Sequence, residues 1–280
     1  MAASRGPRGP VIVKLGGSVI TRKHEVERIR PKVLQRLAEE LAAAPRPMVI
    51  LHGAGSFGHP GAKKFGLAYA PPPGASAATR ARGASIVAAE VRRLHLAVLR
   101  ALLEAGLSVA SVPVASHAAN REGRLETLDL APFRVVLEAG RVPVSFGDVV
   151  PDLAWGWSIL SADRIAVALA PYLPAELVLF VSDVPGILES RGPGRPRIAP
   201  EVTVPLVEGL RPQGSGPDVT GGIRGKGESM LAIAGAGVDA ALISGLKDGE
   251  LSRAVRGESV YGSWAHARGT GASGPLRDRP

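Results

Sequence analysis

Short apolar runs rich in valine and isoleucine alternate along the chain with longer stretches of helical periodicity. VIVKLGG (11–17) reads as a strand running into a glycine turn, and MVILHG (48–53) as a second strand that also ends in glycine. PKVLQRLAEELAAA (31–44) has the spacing of an amphipathic helix, opened by Pro31, whose fixed φ suits a first helical position. A long helical pattern covers about 76–105. LSVASVPV (107–114) and VPVSFGD (142–148) are predicted strands, with APFRVVLEAG (131–140) as the helix between them. SADRIAVALAPYL (161–173) is helical, and LVLFVSD (177–183) is apolar without alternation, which predicts a central strand covered on both faces. GKGESMLAIAGAG (225–237) and DAALISG (239–245) add a further helix and strand.

This order predicts an α/β fold with a mostly parallel open sheet and helices on both sides. Ligands in such sheets sit beyond the carboxyl ends of the strands. Four of the strands end in small or acidic residues, as KLGGS, LHGAGS, SFGD and VSD, which predicts a binding edge there. A single domain is expected over 11–264, with flexible termini at 1–10 and 267–280 and Gly/Pro-rich loops at 189–200 and 211–222.

Composition narrows the function classes. Of the 280 residues 45% are hydrophobic, ample for a core, yet no apolar run approaches the roughly 18 residues of a membrane span. The N-terminal MAASRGPRGP leads straight into VIVKLGG, without a signal-peptide core, so a cytoplasmic protein with no membrane partner is expected. The absence of cysteine fits that expectation. A net charge of +9 suggests anionic partners. Aromatic residues are only 4% and do not interleave with the basic ones as base-stacking surfaces require, so small anions are expected rather than nucleic acid.

LHGAGSFGHPG (51–61) holds the glycine spacing of a dinucleotide-binding turn in Gly53, Gly55 and Gly58. Such a turn needs a carboxylate about 20 residues on, for a ribose hydroxyl. None occurs between Glu40 and Glu90, and His59-Pro60-Gly61 is expected to block the helix that should start at the third glycine. The small residues Gly53 to Ser56 instead offer four candidate N–H donors for an oxyanion, with His59, Lys63 and Lys64 adding donors or charge. Lys14 precedes Gly16, Gly17 and Ser18, so an ammonium lies beside backbone that a polyphosphate can approach. DVTGGIRGKGESM (218–230) leads to Lys226 at a helix start. Two lysines and a nest suit phosphoryl transfer, which depends on positioning and charge neutralisation. Asp163 is the carboxylate that could orient both lysines; helix capping is the alternative for it.

KLGGS, HGAGSFGH, SFGDV, SAD, VSDVPGI and DVTGGIRGK occur in the order found in the amino-acid-kinase superfamily, over roughly 11–250. HGAGSFGH, with its closing histidine, and DVTGG are most similar to the isopentenyl phosphate kinase branch. The resemblance implies a three-layer αβα sandwich of the carbamate-kinase-like kind. It implies an acceptor-binding lobe at about 11–170, a nucleotide-binding lobe at about 171–264, and a homodimer. It also implies ATP and a small phosphate monoester as substrates, with Mg2+ held mainly by the ATP phosphates and no protein metal ligand. Carried over by position, Lys14 stabilises the moving phosphoryl group, with Gly16, Gly17, Ser18 and Gly55 near the ATP phosphates. Ala54 and Gly58 line the acceptor, while His59 and Gly147 meet its phosphate. Asp163 orients Lys14 and Lys226, Lys226 neutralises charge on the ATP phosphates, and Asp183 and Gly222 help define the nucleotide pocket. Ala84, Ile86 and Val87 are expected to face an apolar tail, with core packing as the alternative. Ala54 and Pro185 depart from the usual HGGGSFGH and DVDG, and Arg224 is an insertion, either a phosphate contact or an exposed charge. A phosphonate kinase, another small-acid kinase of the superfamily and a non-catalytic nucleotide binder are the competing functions.

Overall fold

The structure, a computed structural model, describes residues 9–189, 196–210 and 221–267. Most of both predicted flexible termini (1–8 and 268–280), residues 190–195 of one Gly/Pro loop and 211–220 of the other lie outside the described residues. The first part of the chain runs β1 (Val11–Leu15), α1 (Gly17–Ile20), α2 (Pro31–Ala42), β2 (Met48–His52), α3 (Gly55–Lys64), α4 (Ala77–Glu104) and β3 (Val109–Ser111). There follow β4 (Ala118–Arg121), β5 (Arg124–Leu128), α5 (Ala131–Glu138), β6 (Val142–Phe146), β7 (Asp148–Asp152), β8 (Gly156–Leu160), α6 (Ala162–Tyr172) and β9 (Leu177–Ser182). The last part holds β10 (Leu188–Glu189), β11 (Arg197–Ile198), α7 (Val204–Gly209), α8 (Gly222–Gly235), β12 (Asp239–Ser244), α9 (Glu250–Val255) and β13 (Gly262–Ala265).

The main sheet has seven strands in the order β13-β12-β9-β1-β2-β6-β3, all parallel except β13 at the edge. Strand alternation divides its side chains into two cores. Val11, Val13 and Leu15 of β1 and Leu177, Leu179 and Val181 of β9 pack against α2, α4 and α9. Ile12 of β1 with Val178 and Phe180 of β9 pack on the other side, against α5, α6 and α8. This is the predicted three-layer αβα sandwich, and the strand read without alternation, β9, is covered on both faces. The same two-residue period sends Lys14 to the Ile12 side, the face that α6 and α8 cover.

Several expectations change. The strand predicted over 107–114 shortens to Val109–Ser111, and Pro113 starts a 3-10 turn at Val114–Ser116. The stretch between SFGD and SAD, unassigned by periodicity, forms β7 and β8, which join β4 and β5 in a four-stranded sheet. Asp152 organises that sheet: its carboxylate accepts the N–H groups of Glu122, Gly123, Ala154 and Trp155 and the hydroxyl of Ser158. Against the upward push of burial, these donors hold its carboxyl below the usual range.

The expected block at Pro60 does not occur, since α3 runs from Gly55 through Pro60 to Lys64. Proline cannot give the N–H that Ser56 O would receive inside the helix. That carbonyl accepts the Glu27 N–H instead, at 3.2 Å, and Glu27 holds a φ of 53° to reach it. Ser56 Oγ accepts the Arg28 N–H as well, so the 22–30 loop is fastened to the first turn of α3. Lys63 and Lys64 stand exposed in the last turn of α3, not at the glycine nest where charge was expected. Eight or nine residues of helix separate them from it, roughly 12 Å.

No described helix is long and apolar enough to cross a membrane. The two ends of the chain are tied by Glu40 on α2, whose carboxylate accepts the N–H groups of Gly249, Leu251 and Ser252 at 3.1, 3.0 and 3.2 Å. Arg36 pairs with Glu40 and also donates to Gly245 O at 2.6 Å. Glu40→Ala leaves the first turn of α9 uncapped and is expected to cost about 2 kcal/mol. That corresponds to a fall of roughly 4–8 °C in Tm, which differential scanning calorimetry measures; an unchanged Tm contradicts the capping role.

Candidate active site

The loops after β1 and β2 touch backbone to backbone, which only glycine allows. A Cβ on Gly17 would lie 2.5 Å from Gly55 Cα, one on Gly53 would lie 2.8 Å from Gly17 N, and one on Gly16 would lie 2.7 Å from Val181 O. Gly55 adds a φ of +50°, and its Cβ would strike Thr21 Oγ1. Of the four candidate donors in the nest, two are used by the protein. Gly53 N–H donates to Leu15 O at 2.9 Å and Ser56 N–H to Thr21 Oγ1 at 3.0 Å. The amides of Ala54 and Gly55 keep no partner among the described residues. The nest is therefore narrower than the sequence suggested: two amides at the start of α3.

Beside it, Lys14 Nζ lies 2.6 Å from Asp163 Oδ1, and Lys226 Nζ lies 3.9 Å from Asp163 Oδ2. All three side chains are buried or nearly so, and Lys226 also donates to Gly222 O at 3.4 Å. Ser161 Oγ is the side-chain N-cap of α6, accepting the Arg164 N–H, while Asp163 stands in its first turn with its carboxylate between the two lysines. One carboxylate between two ammonium groups leaves a surplus positive charge at the carboxyl edge of the sheet. A buried pair of this kind is a poor stabiliser, since desolvation offsets its attraction, but it is a good device for fixing a lysine in place.

Asp183, directly after β9, accepts the Ser18 hydroxyl at 2.7 Å and pairs with Lys23 at 2.9 Å. Burial pushes its carboxyl up, but the bonds from Lys23 and Ser18 outweigh that and hold it below the usual range. Lys23 was missed in the sequence. Its signal was a basic stretch at 22–36, starting eight residues past Lys14, with nothing to mark one residue in it. Gly147 donates its N–H to His52 O at 3.0 Å and sits where a Cβ would come 3.1 Å from Ala162 N, so SFGD and SAD meet there. Gly58 and His59 lie on α3, with Gly58 buried and His59 half-buried. Gly222 opens α8 with a φ of +59°; Asp218 to Thr220 of DVTGG lie outside the described residues.

The departures find places. The Ala54 methyl packs over Gly58 in the small core that contains Ala62, Ala84, Val87, Val91 and Phe146. Ala84 and Val87 belong to that core, while Ile86 is half-exposed outside it. Pro185 is exposed, and Arg224 is half-exposed, paired with Glu228 at 3.0 Å.

A second missed group lies under the nest. His52, the last residue of β2, meets His95 of α4 at 3.0 Å between Nε2 and Nδ1, and His95 Nε2 meets Ser111 Oγ at 2.7 Å. Phe146 stacks on His52 and tilts against His95, and Arg92 lies over the Phe146 ring while donating twice to buried Asp148. Burial, chiefly, lowers His52 to about 4; for His95 burial and then the neighbouring His52 lower it to about 3. His52 was visible beside the glycines, but its partner is 43 residues away on an apolar helix face that periodicity assigns to the core.

Residues 9–244 match the profile of the amino acid kinase family. The isopentenyl phosphate kinase of Methanothermobacter thermautotrophicus is 33% identical over 259 residues, 90% of this chain and 97% of that protein. That of Thermoplasma acidophilum is 34% identical over 229 residues, 80% of this chain and 86% of its own. Among solved structures, an X-ray structure of isopentenyl phosphate kinase aligns with a TM-score of 0.79 at 31% identity, over 91% of this chain and 99% of that one.

The histidine pair sets an acid response. Unfolding restores both rings to about 6.5, so below that pH the unfolded chain binds protons that the folded chain refuses. Stability is fully present above pH 6.5 and falls as the pH drops toward 4, by up to about 1.4 kcal/mol per unit for each ring. Urea midpoints at pH 7, 6, 5 and 4.5 are expected to show this slope, and His95→Asn to reduce it. Equal slopes in the two proteins would contradict the assignment.

Proposed function

The chain belongs to the amino acid kinase family, and on that premise we propose that it transfers the γ-phosphoryl group of ATP to isopentenyl phosphate. The products are isopentenyl diphosphate and ADP. The observation that carries the reading is Asp163 held between Lys14 and Lys226 at the carboxyl edge of the sheet, beside a two-amide nest.

The acceptor lies in the lobe formed by about 11–170 and the nucleotide in that formed by about 171–264. An oxygen of the acceptor's phosphate attacks the γ-phosphorus, and the bond from that phosphorus to the oxygen bridging it to the β-phosphate breaks. The electron pair leaves with ADP. A phosphate monoester is already anionic at neutral pH, so no residue need remove a proton first. Lys14 and Lys226 meet the charge that spreads over the equatorial oxygens, which is where phosphoryl transfer gains from preorganised cations. Asp163 fixes both lysines, and His59 holds the acceptor's phosphate from α3, with Gly58, Ala54 and Gly147 around it. Gly16, Gly17, Ser18 and Gly55 allow the ATP phosphates to approach backbone, while Asp183 and Gly222 border the nucleotide. Lys23, joined to Asp183, brings a further cation to the same edge.

Among the described residues no three His, Asp or Glu side chains converge to cage a metal. Magnesium would be carried chiefly by the ATP phosphates, whose charge it neutralises. A homodimer in the cytoplasm is the assembly we propose.

Coupled ADP release with isopentenyl phosphate is the direct test. Wild-type protein is expected to turn over, Asp163→Asn to lose at least about a hundredfold in kcat, as loss of an electrostatic element does, and His59→Ala to lose most of its kcat/KM. Turnover of acetylglutamate or a phosphonate, without turnover of isopentenyl phosphate, would overturn the reading.

A further inference from the structure

The buried imidazoles form a chain of hydrogen bonds with one direction. Gly53 O can only accept, so His52 Nδ1 donates to it, at 3.2 Å. A neutral imidazole has one N–H, which leaves His52 Nε2 as an acceptor and His95 Nδ1 as the donor to it, at 3.0 Å. His95 Nε2 is then the acceptor for the Ser111 hydroxyl, at 2.7 Å. Both rings stay neutral across the neutral pH range, so this pattern is kept. Phe146 presses on both rings, with centroids 5.4 and 4.3 Å away, and limits their rotation.

The end of the chain acts on a peptide plane. In a trans peptide the carbonyl and the following N–H point in opposite directions. Holding Gly53 O toward His52 therefore aims the Ala54 N–H away from it. Other bonds pin the loop on either side, at Gly53 N–H and Ser56 N–H, but neither fixes the plane between residues 53 and 54. Glycine at 53 lets that plane turn about its own dihedrals, bounded on one side by Gly17 packed against it. The Ala54 amide is one of the two nest donors that the protein leaves unused among the described residues.

We propose that His52 is a positioning residue, which by donating from Nδ1 to Gly53 O holds the Gly53–Ala54 peptide so that the Ala54 amide faces the acceptor's phosphate. His95 and Ser111 fix the tautomer this requires. The proposal rests on the kinase reading only in naming the acceptor.

Asparagine and glutamine separate the two ends of the His52 ring. Asn places its amide nitrogen near Nδ1 and keeps the donor to Gly53 O, whereas Gln reaches toward His95 and loses that donor. His52→Gln is expected to raise the KM for isopentenyl phosphate about tenfold, in line with the loss of a buried hydrogen bond. The KM for ATP should change less than about twofold, and His52→Asn, which keeps that bond, should stay within about threefold of wild type in all constants. Equal effects of the two variants, following their loss of Tm, would overturn the proposal, as would a parallel rise in the KM for ATP. If the His52 variants do not fold, Ser111→Ala at the exposed end of the chain replaces them. It should raise the acceptor KM with Tm and the KM for ATP unchanged, and an unchanged acceptor KM overturns the proposal. A wild type inert toward isopentenyl phosphate overturns the kinase reading instead. The Asn and Gln contrast, read by calorimetry with inorganic phosphate, then still decides the role of His52.

Discussion

The site depends on the closeness of two backbones. Gly17 after β1 meets Gly53 and Gly55 after β2 at distances that admit no Cβ, and Gly16 meets Val181 O of β9 in the same way. Parallel neighbouring strands deliver their carboxyl ends to the same edge, but ordinary side chains would hold the two loops several ångströms apart. Removing them lets amides from both loops share one small volume. The first turns of α1 and α3 start from that volume, so two helix N-termini point their positive ends at it.

Around this backbone core the charges are placed by strand and helix geometry rather than by neighbours in sequence. Alternation turns Lys14 toward α6 and α8, and those helices bring Asp163 and Lys226 to it from 149 and 212 residues away. Asp183 and Lys23 form a second pair at the end of β9, with Ser18 joining it to the first glycine loop. The arrangement concentrates cations at one edge and keeps each in a fixed place, which a cluster of solvated lysines would not do.

The sandwich, its central strands and the binding edge were legible because long amphipathic helices and apolar parallel strands carry strong periodicity. Lys14, Asp163 and Lys226 were legible as a set through the resemblance and the glycine loops. The failures have separate causes. α3 was read as blocked at Pro60, because the bond from Glu27 that supports it comes from another segment. The β7–β8 excursion is short, with Pro151 and Gly156 in it, and is held together by Asp152 rather than by an alternating face. His95 was hidden because one histidine among apolar residues of α4 looks like core until its partner on β2 is known. Lys63 and Lys64 were assigned to the nest on sequence proximity, which a helix converts into distance.

The bond that replaces the missing Pro60 N–H joins two segments through one carbonyl. A residue other than proline at 60 would bring a second N–H to Ser56 O, which the Glu27 amide would then share. The contact at residue 27 would weaken, while the Arg28 amide on Ser56 Oγ would still hold the loop carrying Lys23 to the helix carrying His59. Pro60 thus reserves one carbonyl of α3 for the loop beside it, and through that loop links the placement of Lys23 to that of His59.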